Sequence, residues 1–193
     1  MQLPLHTARL TLRTLRQDDL AAIIAYRNDP VISEFQDWAV PYTEASAQAL
    51  FDHNAGFDGP TEGEWVQIVV EHDGVLVGDL GVELRSRGTV VTLGYSFARE
   101  HHGHGYATEA VAGLVDALID DGAHRFVASL DPQNVPSMRV LEAVGFTFES
   151  HARKADFIRG EWLDDVRYSM LAEDRVAWRD RPSVTPDVVE FVE

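Results

Sequence analysis

The chain of 193 residues contains no cysteine. That excludes disulfides and a thiol nucleophile. No apolar run approaches the ~20 residues that a membrane-spanning helix needs, so no membrane partner is expected. Met1-Gln2-Leu3-Pro4 carries no basic stretch, and no signal peptide is expected before the first strand. Positive charge is scarce: 16 Lys and Arg stand against 32 Asp and Glu, a formal net charge of −16. Nucleic-acid binding needs basic surface to displace counterions from phosphates, so no nucleic acid partner is expected. Together these absences lead to the expectation of a cytoplasmic protein. The acidity has two readings of its own. It attracts cationic partners and speeds their encounter, or it serves solubility and salt tolerance. There is no internal repeat. Length and composition fit one domain over residues 1–179, followed by a C-terminal tail, 180–193.

What is present centres on Leu93 to Asp121, LGYSFAREHHGHGYATEAVAGLVDALIDD. A strand ending in Leu93, Tyr95 and Phe97 runs into the turn His101-His102-Gly103-His104-Gly105-Tyr106. A helix follows, with an apolar stripe at Ala107, Ala110, Val111, Leu114, Val115, Leu118 and Ile119. Gly122 is its natural stop. The first amides of such a helix have no internal partner and the dipole is positive there, so the turn is a candidate anion site. Glycine lets backbone approach a phosphate. A P-loop would need Lys-Ser or Lys-Thr after the last glycine, but Tyr106-Ala107 stands there. A dinucleotide fingerprint would need a third glycine where Thr108 is. The residues alone leave a phosphate or other anion against a purely structural turn.

GYSFAREHHGHGYATEA resembles the acetyl-CoA loop of the GCN5-related N-acetyltransferases (GNAT), in the branch typified by the ribosomal-protein N-terminal acetyltransferases RimJ and RimL. A second stretch, DPQNVPSMRVLEAVGF, is similar to that branch's signature at Asn134, Ser137, Arg139, Leu141, Gly145 and Phe146. The start, ARLTLRTLRQDDLAAII, resembles the family's opening Arg-Leu-x-Leu-Arg. The resemblance spans most of Ala8 to Leu171. Two departures stand out: Glu100 replaces a common Gln or Arg, and His104 replaces a basic residue between the glycines.

Pattern gives the order β-α-α-β-β-β-α-β-α-β. Strand Arg9–Arg16 precedes a helix capped by Asp18, and Asn28-Asp29-Pro30 ends that helix. Thr43 caps a second helix, roughly Glu44 to His53. Three strands follow as a meander with Asp73-Gly74 at its first turn. After the glycine-turn helix come strand Arg125–Leu130, a short helix capped by Asn134, strand Phe146–Glu149, and a final hairpin with strand Val166–Leu171. The expected class is α/β, a mixed, mostly antiparallel sheet flanked by helices. This agrees with the GNAT fold that the resemblance implies. The tail alternates Val188, Val189, Phe191 and Val192. It is either disordered or docked on the body or on a second subunit, which leaves a homodimer possible.

The resemblance also implies the chemistry. Acetyl-CoA would be the acyl donor, attacked directly by a primary amine in a ternary complex. The acceptor is either a protein N-terminal α-amine or a small cationic amine. The backbone of Ser96, Phe97 and Ala98 would pair with pantetheine. Amides from His102 through Gly103, His104, Gly105, Tyr106 and Ala107 to Thr108 would hold the pyrophosphate, and Asn134 would anchor the pantetheine arm. Many relatives place a Tyr where Leu141 stands, as the acid for the leaving thiolate. Ser137, near the thioester sulfur, is the candidate replacement, with helix capping as its plainer role. Glu83 is the first candidate base, ahead of His151, Asp156 and Asp164; an exposed strand-end carboxylate is the plainer reading. Phe35 and Trp38 are candidate acceptor-binding residues, or packing aromatics. His101, His102 and His104 have no partner at metal-ligand spacing, so no metal is expected. A non-catalytic acyl-CoA-binding module is the rival to an enzyme.

Overall fold

The computed structural model describes residues 1–179. The tail expected from 180 to 193 lies outside the described residues. One sheet holds eight strands in the order β1-β2-β3-β4-β5-β6-β8-β7. They are β1 (Leu5–His6), β2 (Thr11–Thr14), β3 (Trp65–His72), β4 (Val75–Arg85), β5 (Val90–Phe97), β6 (Arg125–Leu130), β7 (Thr147–Ile158) and β8 (Glu161–Leu171). Neighbours pair antiparallel except β5 with β6, which are parallel. The helices are α1 (Leu20–Arg27), α2 (Pro30–Ser33), α3 (Glu44–Asn54), α4 (Tyr106–Asp120), α5 (Val135–Val144) and α6 (Ala172–Arg179). This is the mixed α/β sheet flanked by helices that the pattern predicts.

Local chemistry explains most boundaries. Asp73 and Gly74 both take positive φ, 49° and 81°, as a type I′ hairpin turn between β3 and β4 requires. Thr43 caps α3 by accepting from the Ser46 amide at 3.1 Å. The cap expected from Asp18 is not made. A 3-10 turn, Gln17–Asp19, precedes α1, and the Asp19 carboxylate turns to Arg13, 2.7 Å from both of its terminal nitrogens. Asn28-Asp29-Pro30 does end α1, yet Pro30 starts α2, because proline suits the first turn of a helix and the Asp29 side chain caps it. β1, α2 and α6 lack a sequence signal strong enough to be expected. β7 and β8 extend well beyond the short strands predicted.

The two sheet faces are covered unequally. The stripe of α4 (Ala110, Val111, Leu114, Val115, Leu118) and Leu141 and Val144 of α5 bury against Ile68, Leu80, Leu93, Phe126 and Met170. Each such large side chain contributes about 1.5–3 kcal/mol of burial. On the opposite face, α1–α3 cover Val69 and Ala98, and that buried cluster contains no residue of β6, β7 or β8.

β5 and β6 pair only through Val90–Thr92 against Arg125–Val127. Beyond Thr92 they diverge, which opens a V in the middle of the sheet. β8 continues past the end of β6, because Leu130 already pairs with Val166. The β7–β8 hairpin therefore reaches beyond the V.

Candidate active site

The left wall of the V is the free half of β5. The Ala98 amide donates to the Val77 carbonyl of β4 at 3.0 Å, and the Ala98 carbonyl accepts from His101 at 2.9 Å. In an antiparallel ladder successive residues alternate between the two edges. Ala98 and Ser96 thus turn their backbone groups to β4, and Tyr95 and Phe97 turn theirs to the V. Of the three residues expected to pair with an extended ligand, Phe97 is the one facing the opening, with Tyr95 beside it. A ring nitrogen of His102 lies 2.9 Å from the Phe97 carbonyl.

The right wall begins with β6 and the N-terminus of α5. Asn134 caps α5: its Oδ1 accepts from the Ser137 amide at 3.3 Å. The Ser137 hydroxyl is therefore not the cap, and it makes no hydrogen bond among the described residues. The Tyr95 hydroxyl crosses the V to donate to the Ser137 carbonyl at 2.8 Å. Burial raises the Tyr95 pKa well above its usual range, only partly offset by the bond to Ser137, so it stays protonated. Leu141, at the position of the family's usual Tyr, is buried in the core. Tyr95 was read only as a strand residue; its place directly after Gly94, aimed at α5, was the available signal.

The glycine turn sits at the end of β5. Gly103 and Gly105 take φ of 78° and 76°, a conformation that favours glycine, and Gly105 is the N-cap of α4. The His102 amide is engaged by the Arg99 carbonyl at 3.1 Å, so the cradle of free amides starts at Gly103 rather than at His102. It continues through His104 and Gly105 to the first-turn amides Tyr106, Ala107 and Thr108 of α4. Arg9 braces this turn. It donates to the His104 carbonyl at 3.0 Å, pairs with Glu109 at 2.6 Å, and lies over the Tyr106 ring at 4.9 Å. Burial alone would raise the Glu109 pKa, but bonds from Thr7 and Arg9 bring it below its usual value. The first arginine of the Arg-Leu-x-Leu-Arg opening thus serves the ligand loop from across the fold. A ring nitrogen of His104 lies 2.9 Å from the His102 carbonyl. Among the described residues no group of three or more His, Cys, Asp or Glu is arranged to hold a metal ion.

The opposite face of the sheet carries α1–α3 and is the candidate acceptor side. Under it lies a buried polar cluster. Asp79 of β4 accepts from the Tyr26 hydroxyl and, at 2.9 Å, from Arg27. The guanidinium packs against the rings of Trp38 at 4.6 Å and Tyr42 at 4.9 Å, which meet edge-on at 6.2 Å. Trp38 also donates to the Arg27 carbonyl at 3.1 Å. This geometry accounts for Trp38 as a packing aromatic on α1. Phe35 is half-buried within the loop that the hairpin tip grips. There, Arg159 Nη2 donates to the carbonyls of Ser33, Glu34 and Gln36 at 2.9, 2.8 and 3.0 Å.

Among the candidate bases, Glu83 pairs with Thr92, where β5 and β6 are still joined. It sits at the closed end of the V, and the hydrogen bond from Arg85 at 2.5 Å lowers its pKa. Both facts point away from a base. His151 and Asp164 pair with each other at 2.8 Å on the hairpin. Asp165, which sequence reasoning missed, stands one residue past the β6–β8 ladder and turns to the acceptor face. Burial raises its pKa, Ser129 opposes that, and neighbouring Asp156 raises it further. No sequence motif marks Asp165; its role depends on where β8 leaves β6.

The acetyltransferase (GNAT) domain signature matches residues 9–147. The chain belongs to the GNAT acetyltransferase family. Its relatives include "Uncharacterized N-acetyltransferase p20" of Bacillus licheniformis, 26% identical over 88% of this chain and 97% of that protein. The crystal structure of a GNAT-family acetyltransferase from Bacillus anthracis superposes with a TM-score of 0.77 at 26% identity, covering 88% of this chain and 98% of the other. RimJ of Mycobacterium smegmatis, solved in complex with CoA-disulfide, has a TM-score of 0.73 at 26% identity, covering 90% and 88%. This GNAT protein is an N-acetyltransferase. The V, the amide cradle and the Asn134 cap have the donor set that acetyl-CoA requires: extended backbone for pantetheine and free amides for pyrophosphate. No described helix is long and apolar enough to cross a membrane.

Proposed function

We propose that the chain acetylates a small cationic amine, with acetyl-CoA and amine meeting in the V in a ternary complex. Holding both reactants together supplies proximity. Phe97 and Tyr95 offer backbone to pantetheine, Gly103 to Thr108 offer amides to the pyrophosphate, and Asn134 orders the start of α5. The Ser137 hydroxyl is the donor for the departing thiolate, held in place by its neighbours' cap and by Tyr95. Asp165, on the acceptor face with its proton affinity raised, takes the proton of the attacking amine directly or through water.

The observation that carries the choice of acceptor is the Arg159 bridge. By gripping Ser33, Glu34 and Gln36, it rejoins the two arms of the V on the acceptor side. The opening becomes a bounded window, suited to a slender amine and poorly suited to a folded protein surface. The net charge of −16 favours a cation. The RimJ/RimL-like resemblance then describes the scaffold and not the acceptor. Steady-state thiol release, measured with small diamines and with N-terminal peptides at saturating acetyl-CoA, tests this. Small cations should give the higher kcat/KM, falling as salt approaches physiological strength, where the Debye length is ~8 Å. Preference for peptides, or a rate that salt leaves unchanged or raises, would overturn the choice of acceptor.

A further inference from the structure

β4 and β5 carry glycine at facing positions on the acceptor face, Gly81 opposite Gly94. The space their side chains would occupy is filled by one indole. A Cβ at Gly81 would stand 2.2 Å from Trp65 Cζ2, and a Cβ at Gly94 would stand 3.6 Å from it. Trp65 starts β3, two strands from β5, so its ring lies across β4 and its benzo edge ends at β5. The ring packs on the two glycines with one face, yet Trp65 remains 41% exposed, which leaves part of the indole open to a ligand. The ring of His53 on α3 meets the Trp65 carbonyl at 3.1 Å and fixes the start of the strand. Glu83 is the residue opposite Trp65 in register. Its carboxylate is kept ionised by Arg85, and it points to the same face as Gly81 two residues away.

We propose that Trp65 and Glu83 form a specificity subsite for a second positive charge on the acceptor. The inference rests on the V being where the amine reacts. Gly94 and Ser96 are successive residues on one face of β5, about 6.8 Å apart along the strand. An acceptor with its reacting amine in the V, at the level of Tyr95 to Phe97, and a second ammonium one such step back toward Gly94 sets that ammonium against the indole edge. Tryptophan is the strongest aromatic partner for a cation, and Glu83, whose Oε2 accepts from Arg85 at 2.5 Å, offers its second carboxylate oxygen one step further. Glu83 acts here as an anchor and not as a base. The two glycines follow from the same arrangement, since any side chain at Gly81 would push the ring out of the path.

The test uses the full chain, saturated with CoA and labelled with 15N. The indole resonance missing in Trp65→Phe identifies Trp65. Titration with 1,4-diaminobutane should move that resonance and saturate at about ten-fold lower concentration than n-butylamine. Glu83→Gln should bring the diamine close to the monoamine, and CoA affinity should not change. Equal affinities for the two amines, or a Trp65 resonance that stays still while other signals shift, would overturn the subsite. Failure of the acetylation reading looks different: neither amine then releases thiol from acetyl-CoA, whatever Trp65 reports.

Discussion

Across β2–β5 the sheet is covered on both faces, by α4 on one and by α1–α3 on the other; among the described residues, β6 and β8 are covered only on the side of α4 and α5, and β7 on neither. The first half also buries ionic groups, Arg27 with Asp79 and Arg13 with Asp19. In the second half β7 is exposed along most of its length, and Phe148, Phe157 and Trp162 are more than half exposed. Among the described residues, three links join the halves at the V: the short β5–β6 pairing, the Tyr95–Ser137 bond and the Arg159 grip. In the proposed reading, the doubly covered half is a firm wall that presents β5 and the glycine turn to the donor. In the same reading, the singly covered half brings Ser137 to the thioester sulfur, and Asp165 and the hairpin to the acceptor. Damage to the first should therefore read out as stability or donor affinity, and damage to the second as turnover.

The largest effect is expected at the centre of the firm half. Arg27→Met leaves Asp79 buried without its cation and should cost about 3–5 kcal/mol, seen as a fall in denaturation midpoint. Arg27→Met combined with Asp79→Leu should recover part of it. A loss below 1 kcal/mol for the single variant would show that this cluster does not stiffen the wall.

Next comes Asp165→Asn on the open half, which should lower kcat by about a hundred-fold or more. Because Asp165 must be ionised to accept a proton, wild-type activity should fall as pH drops through its raised pKa, and the variant should lack that limb. The sign for stability is opposite. A carboxylate with a raised folded pKa binds its proton more tightly when folded, so it costs stability at neutral pH and that cost fades in acid. Asp165→Asn should thus leave the melting temperature unchanged or higher. Normal kcat would remove Asp165 as the base.

Ser137→Ala should lower kcat ten- to a hundred-fold with little change in acetyl-CoA affinity, because the hydroxyl acts as charge develops on sulfur. Asn134 caps through the Ser137 amide, so the variant keeps its cap and its melting temperature. Unchanged turnover would assign the proton to solvent.

The smallest effect returns to the firm half. Gly105→Val places a side chain in a positive-φ position at the cradle, 3.5 Å from Arg9 Nη2 at its Cβ. CoA affinity by calorimetry should weaken about ten-fold, about 1.4 kcal/mol, in a folded protein. Unchanged affinity would remove the phosphate assignment.

Local signals in the sequence were enough for most of the firm half, α2 and the start of α1 aside. Alternation gave the meander, Asp73-Gly74 gave its turn, and the stripe from Ala110 to Leu118 gave α4. The cradle was legible too, because glycines before a helix carry their own geometry. The open half depends on distant partners. β7 has no buried face to print an alternating pattern, so only its first residues read as a strand. Asp165 gains its place from β8 outrunning β6, Tyr95 from a carbonyl 42 residues away, and Arg159 from carbonyls more than 120 residues away. Asp18 failed as a cap because the N-cap position falls on Asp19, whose carboxylate answers to Arg13 on β2. Glu83 looked like a base from its strand end alone; the register shows that the V is closed there.

The crystal structure of the chain with CoA bound tests the central claim most directly. The account predicts pantetheine amides paired with the Phe97 backbone, pyrophosphate oxygens on the amides from Gly103 to Thr108, and the sulfur within hydrogen-bond reach of the Ser137 hydroxyl, facing Asp165. A pantetheine arm outside the V, or a sulfur far from both Ser137 and the acceptor face, would contradict it.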